Sequence, residues 1–581
     1  MATRTRSHKA EKVIERMGKK LNRQMVGSLV GCVHCGNCAE SCHYVLANPS
    51  DPTYAPAYKA DRIRSIFKRH FDWTGRLFPW WVHAKSIHTD EELEELKDIV
   101  FGKCTNCRRC TTNCPMGVDF ATFNRMARGL LVSVGVMPEG VAVVSKDQWE
   151  IGNQMGVLKE DYVETLEWLS EEMQMEYGES YPGIPIDKMN ADVVYSINPR
   201  EVKYDPRTIS DAAMIFNEAG ENWTMPSEGW DMTNFGLFSG DDDLGGATAR
   251  HLYEKVLELK GKKLIISECG HGYRSTRCEG PNWAQMDVDF PMESAVLTMM
   301  QYIKEGKIRV DPTKNDIPIT FHDSCNYGRS CGMTEEPREL LQMVCTDFRE
   351  TYPNRAENYC CTGGGGAMSM SEYTPQRLKS AKVKADQLKA TGAKIVVTTC
   401  HNCVDGLADL IKHYKLDMQV TQLVNLVAKA LVITTPKVEE VPAEAAPVMA
   451  EATALAGRRI LVADDEPDFV TFVSTVLEDN GATVMKASDG NQAFAMAKSE
   501  KPDLITLDIS MPGKSGVEVF ELLRKTDETS QIPVCIITGK PEMRQLLYDR
   551  PVPPPEGYLD KPVDEESILL NVRKVLKLAT D

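Results

Sequence analysis

Eight cysteines fall into two runs of identical spacing. Cys32, Cys35, Cys38 and Cys42 form a C-x2-C-x2-C-x3-C run; Cys104, Cys107, Cys110 and Cys114 form another, followed by Pro115. A [4Fe–4S] cube needs four thiolates converging on one small volume. This spacing supplies three from a tight loop and sends the fourth away on a helix. In two-cluster ferredoxins the fourth cysteine of each run serves the other cube. The expected sets are therefore Cys32, Cys35, Cys38 and Cys114 on one cube, and Cys104, Cys107, Cys110 and Cys42 on the other. Structural zinc pairs two C-x2-C units and has no need of third and fourth cysteines so spaced. Cys42 is followed by His43 rather than proline, so the first loop is expected to exit differently.

A second constellation comprises Cys325, then Cys360-Cys361, then Cys400 and Cys403. Adjacent cysteines cannot easily serve one iron of a regular cube, because their side chains diverge. They can serve different irons of a more open cluster, and five thiolates exceed the four a cube requires. Ile319-Thr320-Phe321 and Lys394 to Thr398 read as short buried strands, with Pro318 tolerated only at the opening of the first. Each strand delivers a cysteine just past its carboxyl end, where α/β sites form. Thr362 and the run Gly363 to Gly366 are expected to let the backbone pass close to a bulky ligand.

These residues carry a resemblance. His322-Asp323-Ser324-Cys325 with Gly328-Arg329, Glu335-Glu336-Pro337-Arg338, Cys360-Cys361 and Cys400-His401-Asn402-Cys403 resemble the cysteine-rich "CCG" domain of the heterodisulfide reductase family. Thr362 departs from the glycine usual there. The family carries two such halves, and a decayed first one is legible. Glu228 to Thr233 aligns with Glu357 to Thr362, and Lys263 to Cys269 with Lys394 to Cys400. Asp231 and Met232 replace the paired cysteines and Gly272 the last, so that half is expected to bind no cluster of its own. Cys269, Cys278 and Cys331 read as ordinary buried thiols, one of them a candidate for lining a substrate pocket.

The domain order over residues 25–430 is most similar to DsrK-type members of this family, from the DsrMKJOP complex associated with sulfite reduction. The resemblance implies two [4Fe–4S] cubane clusters and one noncubane [4Fe–4S] cluster, the last being the catalytic site for cleaving sulfur–sulfur bonds. It implies a trisulfide on a small DsrC-like sulfur-carrier protein as substrate. It also implies a membrane cytochrome b-type quinol-oxidising subunit as electron donor. Reducing a disulfide takes two electrons while each cube delivers one, which an additional cluster would reconcile. Two other readings stay open: an electron-acceptor subunit of a 2-hydroxy acid or glycerol-phosphate dehydrogenase, and a non-catalytic electron conduit.

Further along, Asp464-Asp465 follow the strand pattern Arg459 to Ala463, Asp508 follows Leu504 to Leu507, and Thr538-Gly539 follow Val534 to Ile537. Tyr558 precedes Lys561-Pro562. All lie at carboxyl ends of successive strands, the ligand edge of a doubly wound sheet. Residues 458–581 resemble a response-regulator receiver domain. The resemblance implies phosphorylation at Asp508, with Mg²⁺ held by Asp464, Asp465 and Asp508, since hard oxygen ligands suit that ion. It implies that Thr538 and Lys561 bind the phosphoryl oxygens, that Tyr558 is a switch aromatic, and that a histidine kinase is a partner. Phosphorylation is expected to tune docking or activity through local charge.

The elements that must position these groups suggest a multidomain chain. The 581 residues exceed what one core usually organises. Residues 1–150 read as a mostly α helical ferredoxin domain, 151–199 as a polar connector, and 200–434 as an α/β pseudo-symmetric cysteine-rich region. Residues 435–457 read as a linker rich in Ala, Pro, Val and Glu, and 458–581 as a flavodoxin-like α/β receiver. The insert between the cysteine runs resembles the helical ferredoxin arrangement of respiratory iron–sulfur subunits. Its segment Phe78-Pro79-Trp80-Trp81-Val82 is either core or a docking surface for a partner subunit. The first 25 residues are basic, a solvated helix or tail, or else a contact for a partner or an anionic membrane. A net charge of −17 argues against a nucleic-acid partner. No apolar run is long enough to span a bilayer and no signal peptide is visible, so the expected place is the cytoplasm, attached peripherally to the inner face of the membrane through partner subunits.

Overall fold

The computed structural model describes residues 6–433, 455–538, 555–561, 563 and 565–576. It divides into two compact units between residues 438 and 439.

The first unit opens with helices alone as far as Tyr177. The basic start is an amphipathic helix, His8–Lys20, capped by Ser7, which buries Ala10, Val13 and Met17. Helices Pro56–Phe71 and Phe120–Val132 supply much of the core, with Ile63, Phe67, Phe123, Leu130 and Leu131 buried together. Helix Asp90–Lys97 starts from a Thr89–Glu92 capping box and runs into a π-helical turn, Asp98–Gly102. The aromatic segment is not core. Trp80 is 78% exposed, and Trp73, Leu77 and Trp81 are also exposed.

Residues 151–199 are not a connector. Helix Lys159–Tyr177 buries Tyr162, Leu166, Leu169 and Met173 at one-turn spacing. Those side chains share a core with β1 (Val193–Ser196), which lies inside the supposed connector. The glutamates between them gave the segment its polar appearance, although they occupy only the solvent face.

The α/β region is a structural repeat. β1 joins β2 (Trp223–Thr224), β3 (Lys263–Ile266) and β4 (Met292–Ser294) in a parallel sheet of order β2-β1-β3-β4. β5 (Ile319–His322), β6 (Phe348–Arg349), β7 (Ile395–Thr398) and β8 (Gln419–Gln422) form the order β6-β5-β7-β8, again parallel. The two sheets thus have one topology. β1, β5 and the apolar ends of β3 and β7 are buried, as expected of strands covered on both faces.

The second unit is a five-stranded parallel sheet. β9 (Arg459–Ala463), β10 (Thr483–Ala487), β11 (Leu504–Leu507), β12 (Val534–Thr538) and β13 (Gly557–Asp560) run in the order β10-β9-β11-β12-β13. This is the flavodoxin-like doubly wound order. Leu455, assigned by composition to the linker, is buried in this unit's core. Thr435 to Ala454 of the expected linker lie outside the described residues.

Candidate functional site

The two cysteine runs interleave. One cavity is lined by Cys32, Cys35, Cys38 and Cys114, with Val33, His34 and Met116. A second is lined by Cys42, Cys104, Cys107 and Cys110, with His43 and Lys59. Each set takes three cysteines from one run and the fourth from the other. Burial pushes the Cys38 thiol up to about 11 and raises Cys42 and Cys110 as well. Only a bound cation would stabilise several thiolates in such a space.

The two surroundings differ. Cys35 and Val33 of the first cavity are exposed. In the second cavity Cys42, Cys104, Cys107 and Cys110 are all half-buried, and His43 lines the wall beside them. The residue that stood where proline was expected therefore lines the site.

The five cysteines of the second constellation lie beside that second cavity. Cys360, Cys361, Cys400 and Cys403 share one buried cluster, with Cys107 packed against it. Cys361 Sγ lies 3.1 Å from Cys403 Sγ. Cys325 opens the π-helical turn Cys325–Ser330 past β5, and burial, then the nearby charges of Cys107 and Cys361, raise its thiol well above the usual range. Cys400 caps helix His401–Tyr414 and Cys403 lies in its first turn. Thr105, two residues before Cys107, brings its Oγ1 to 3.4 Å from Cys360 Sγ.

Arginines fasten this junction. Arg128, fully buried, donates to the carbonyls of Val100, Cys104, Phe238 and Gly365. Arg329 donates to the carbonyls of Cys107, Ala356 and Asn358. Arg338 holds Asp323 through two bonds of 2.7 and 2.9 Å. Such forks fix geometry as well as charge. The glycine run serves the same packing. A Cβ on Gly363 would fall 2.0 Å from Asn402 O, and one on Gly365 2.5 Å from Thr105 O.

Histidines that sequence reasoning passed over stand among the thiols. His322 lies with Cys361 and Cys403, and His271 with Cys269 and Cys400; in each trio the ligand atoms lie within 4.8 Å of one another. Burial lowers the His322 pKa, favouring the neutral ring. Cys269, of the first half, is thus beside the second half's site. The decayed site itself is closed. A Cβ at Gly272 would fall 2.1 Å from Met232 Sδ. Asp231 is buried on Gln148, Gln154 and Thr233. Cys278 is exposed and Cys331 half-buried, so neither is an ordinary buried thiol.

In the second unit Asp464 and Asp508 sit past the ends of β9 and β11, both buried. Lys561 Nζ lies 2.7 Å from Asp464 Oδ2 and 3.8 Å from Asp508 Oδ1. Burial raises both carboxyls against the pull of that lysine. Asp465 is exposed, and Thr538 ends β12. The Tyr558 side chain, Gly539 and Pro562 lie outside the described residues.

The donor sets fit the groups the sequence implies: four thiols around each of two small cavities, five thiols in one buried cluster, and three carboxylates at a sheet edge.

Comparisons with known proteins agree. Residues 28–118 match the 4Fe-4S dicluster domain, 319–407 the cysteine-rich domain, and 460–573 the response regulator receiver domain. The chain is 26% identical over 454 residues to the Hdr-like menaquinol oxidoreductase iron-sulfur subunit 2 of Archaeoglobus fulgidus, covering 69% of this chain and 80% of that one. It is 27% identical over 423 residues to a subunit of the dihydromethanophenazine:CoB–CoM heterodisulfide reductase of Methanosarcina mazei, covering 72% and 97%. The C-terminal part is 40% identical over 118 residues to protein PilH of Pseudomonas aeruginosa, covering 20% and 97%.

Proposed function

Because this chain belongs to the Hdr-like iron–sulfur subunits and ends in a response-regulator receiver domain, we propose that it is the catalytic subunit of a membrane-associated complex that reduces a sulfur–sulfur bond. The trisulfide of a small DsrC-like carrier is the substrate this reading favours. The observation that carries it is the packing of Cys107, in the second four-cysteine set, against the buried cluster that holds Cys360 of the five-cysteine set.

Cys32, Cys35, Cys38 and Cys114 would hold one cubane, and Cys104, Cys107, Cys110 and Cys42 the other. Cys325, Cys360, Cys361, Cys400 and Cys403 would hold a noncubane cluster. When bound, these groups supply one-electron transfer and, at the five-thiol site, a metal able to retain half-reduced sulfur. The protein's own part is positional. Arg128 and Arg329 lock the Cys104–Cys107 loop to the Cys360 loop, which keeps the two thiol sets in contact. Ala381, Leu388, Leu407 and Leu410 share one buried cluster with Cys360, Cys361, Cys400 and Cys403, and these apolar side chains keep water from the thiols. The exposed cavity at Cys35 is the natural point of entry for electrons. The exposed aromatic segment at Trp80 is a surface for the quinol-oxidising partner. No helix among the described residues is long and apolar enough to cross a membrane, so attachment would come through such partners. At the receiver, Asp464, Asp465 and Asp508 would hold Mg²⁺, with Thr538 and Lys561 on the phosphoryl oxygens of Asp508, and a histidine kinase as the phosphoryl source.

The test is iron analysis and EPR of the purified protein with and without a trisulfide-bearing carrier. About twelve irons per chain, against about eight for two cubes alone, and a signal that appears on adding the carrier, are expected. Unchanged turnover in Cys361→Ser would leave only an electron conduit.

A further inference from the structure

Cys278 and Cys331 belong to neither the eight-cysteine nor the five-cysteine set, yet their sulfurs lie 3.8 Å apart. Cys278 sits in the π-helical turn Arg274–Glu279, which follows β3 in the first half of the repeat. Cys331 caps the turn Cys325–Ser330, which follows β5 in the second. The pair therefore bridges the two halves. Cys278 is exposed and Cys331 is half-buried, so reagents can reach the pair from solvent. Among the described residues no other two thiols are so placed outside the buried sites, Cys345 and Cys535 both being buried.

The separation is that of reduced thiols in contact. A disulfide brings the sulfurs to ~2.05 Å, so forming the bond takes a further approach of the two side chains. The surroundings activate one partner. The Cys331 sulfur lies against Cys278, and Arg277 and Arg274 add positive charge nearby. Together these draw Cys278 down to about 6 and push Cys331 up. A thiolate with a pKa near ambient pH is an effective attacker in thiol–disulfide exchange.

We propose that Cys278 and Cys331 form a surface redox dithiol that closes to a disulfide by exchange with an oxidised thiol compound, R–S–S–R′. The Cys278 sulfur attacks one sulfur of that compound. A Cys278–S–R bond forms, the S–S bond breaks, and R′–S leaves to take up a proton. The Cys331 thiol then loses its proton and attacks Cys278 Sγ, forming the internal disulfide and expelling R–S, which is protonated in turn. The two cysteines together give up two electrons and two protons, and R–S–S–R′ becomes R–SH and R′–SH. The bond would tie together the turn after β3 and the turn whose first residue is Cys325. The oxidation state of the surface would thereby be registered at the edge of the five-thiol site. The dithiol itself stands whether or not that site holds a cluster.

The experiment uses the full chain, purified without oxygen, incubated with glutathione disulfide, quenched in acid and alkylated with N-ethylmaleimide. Peptides are then mapped without reduction, and iron is measured in parallel. The expected result is a peptide pair joined through Cys278 and Cys331, matched by loss of both residues from the alkylated pool and reversed by dithiothreitol. In Cys331→Ser a glutathione adduct should accumulate on Cys278. In Cys278→Ser, Cys331 should remain alkylatable. Recovery of both residues as alkylated thiols in the wild-type chain would overturn the proposal. So would a glutathione adduct as persistent on wild-type Cys278 as in Cys331→Ser, since the second attack would then be absent.

Discussion

Cys107 packs against the buried cluster that holds Cys360, although one belongs to the helical domain and the other to the α/β region. That packing makes the two thiol sets neighbours. Removing Cys107 should therefore have two separable effects. In Cys107→Ala, iron should fall by about four per chain as one cube is lost. The five-thiol site should still fill, but reduction from an external donor should no longer reach it. Iron analysis with reductive EPR titration checks both; a normally reduced third signal would sever the proposed route.

The pairing of Met232 with Gly272 explains why the first half is closed, and it can be tested. The Cβ of Gly272→Ala would collide with Met232 Sδ. Overpacking of this kind costs about 1–3 kcal/mol. The double variant Gly272→Ala/Met232→Ala should cost less than the sum of its parts, because the first change fills room the second creates. Additive losses in thermal unfolding would show that the two positions do not compete.

Thr362 occupies backbone that suits glycine. Its φ is +71°, its side chain is fully buried, and its hydroxyl has no hydrogen-bond partner. A β-branched residue in the left-handed region is strained. Thr362→Ala and Thr362→Gly lose nearly the same side chain, but only glycine relieves φ. Thr362→Gly should be more stable than Thr362→Ala by about 1 kcal/mol. Equal unfolding midpoints would mean that the strain is not stored there.

Much of this was legible because cysteine spacing is a local signal. The interleaving of Cys42 and Cys114 was expected because each run has the spacing of two-cluster ferredoxins, and the strands leading to Cys325 and Cys400 were readable as short apolar runs. The repeat, too, was visible by aligning Lys263 to Cys269 with Lys394 to Cys400. What failed was long-range. Residues 151–199 looked polar because helix Lys159–Tyr177 hides a narrow apolar stripe among glutamates. The segment at Trp80 has the composition of a core but lies at the surface. The approach of His43 to Cys107, of Cys269 to Cys400, and of Cys278 to Cys331 depends on how halves pack, and nothing in their spacing encodes it.

Glu201 gives a pH dependence with a definite sign. It is fully buried, accepts from Ser267 Oγ at 2.7 Å, and faces His401 at 3.3 Å. Burial lifts its carboxyl from 4.5 to about 7, while burial drives His401 down to about 3. The folded state thus holds a proton on Glu201 that the unfolded chain releases nearer 4.5. That contribution to stability is complete below about pH 4.5 and is lost as pH rises through about 7. Glu201→Gln keeps a hydrogen-bonding side chain without the ionisation. Its unfolding midpoint should gain on wild type between about pH 5 and 8 and show no further gain above. A difference between the two proteins that stays flat across this range would place the titration elsewhere.

Lys561 separates metal binding from phosphoryl recognition in the receiver. Its ammonium lies between Asp464 and Asp508, where it neutralises charge that Mg²⁺ would otherwise attract. Lys561→Ala should therefore bind Mg²⁺ at least as tightly as wild type, measured by calorimetry, because a competing cation has been removed. It should nevertheless lose the response to phosphorylation, since in the proposed function the same ammonium meets the phosphoryl oxygens. Asp508→Asn should take no phosphoryl group from acetyl phosphate and Mg²⁺ under conditions that modify the wild-type chain. Intact-mass measurement reads the phosphoryl group directly. Modification of Asp508→Asn at the wild-type level would move the acceptor to another residue. Weaker Mg²⁺ binding in Lys561→Ala would instead assign the lysine to assembling the carboxylate site.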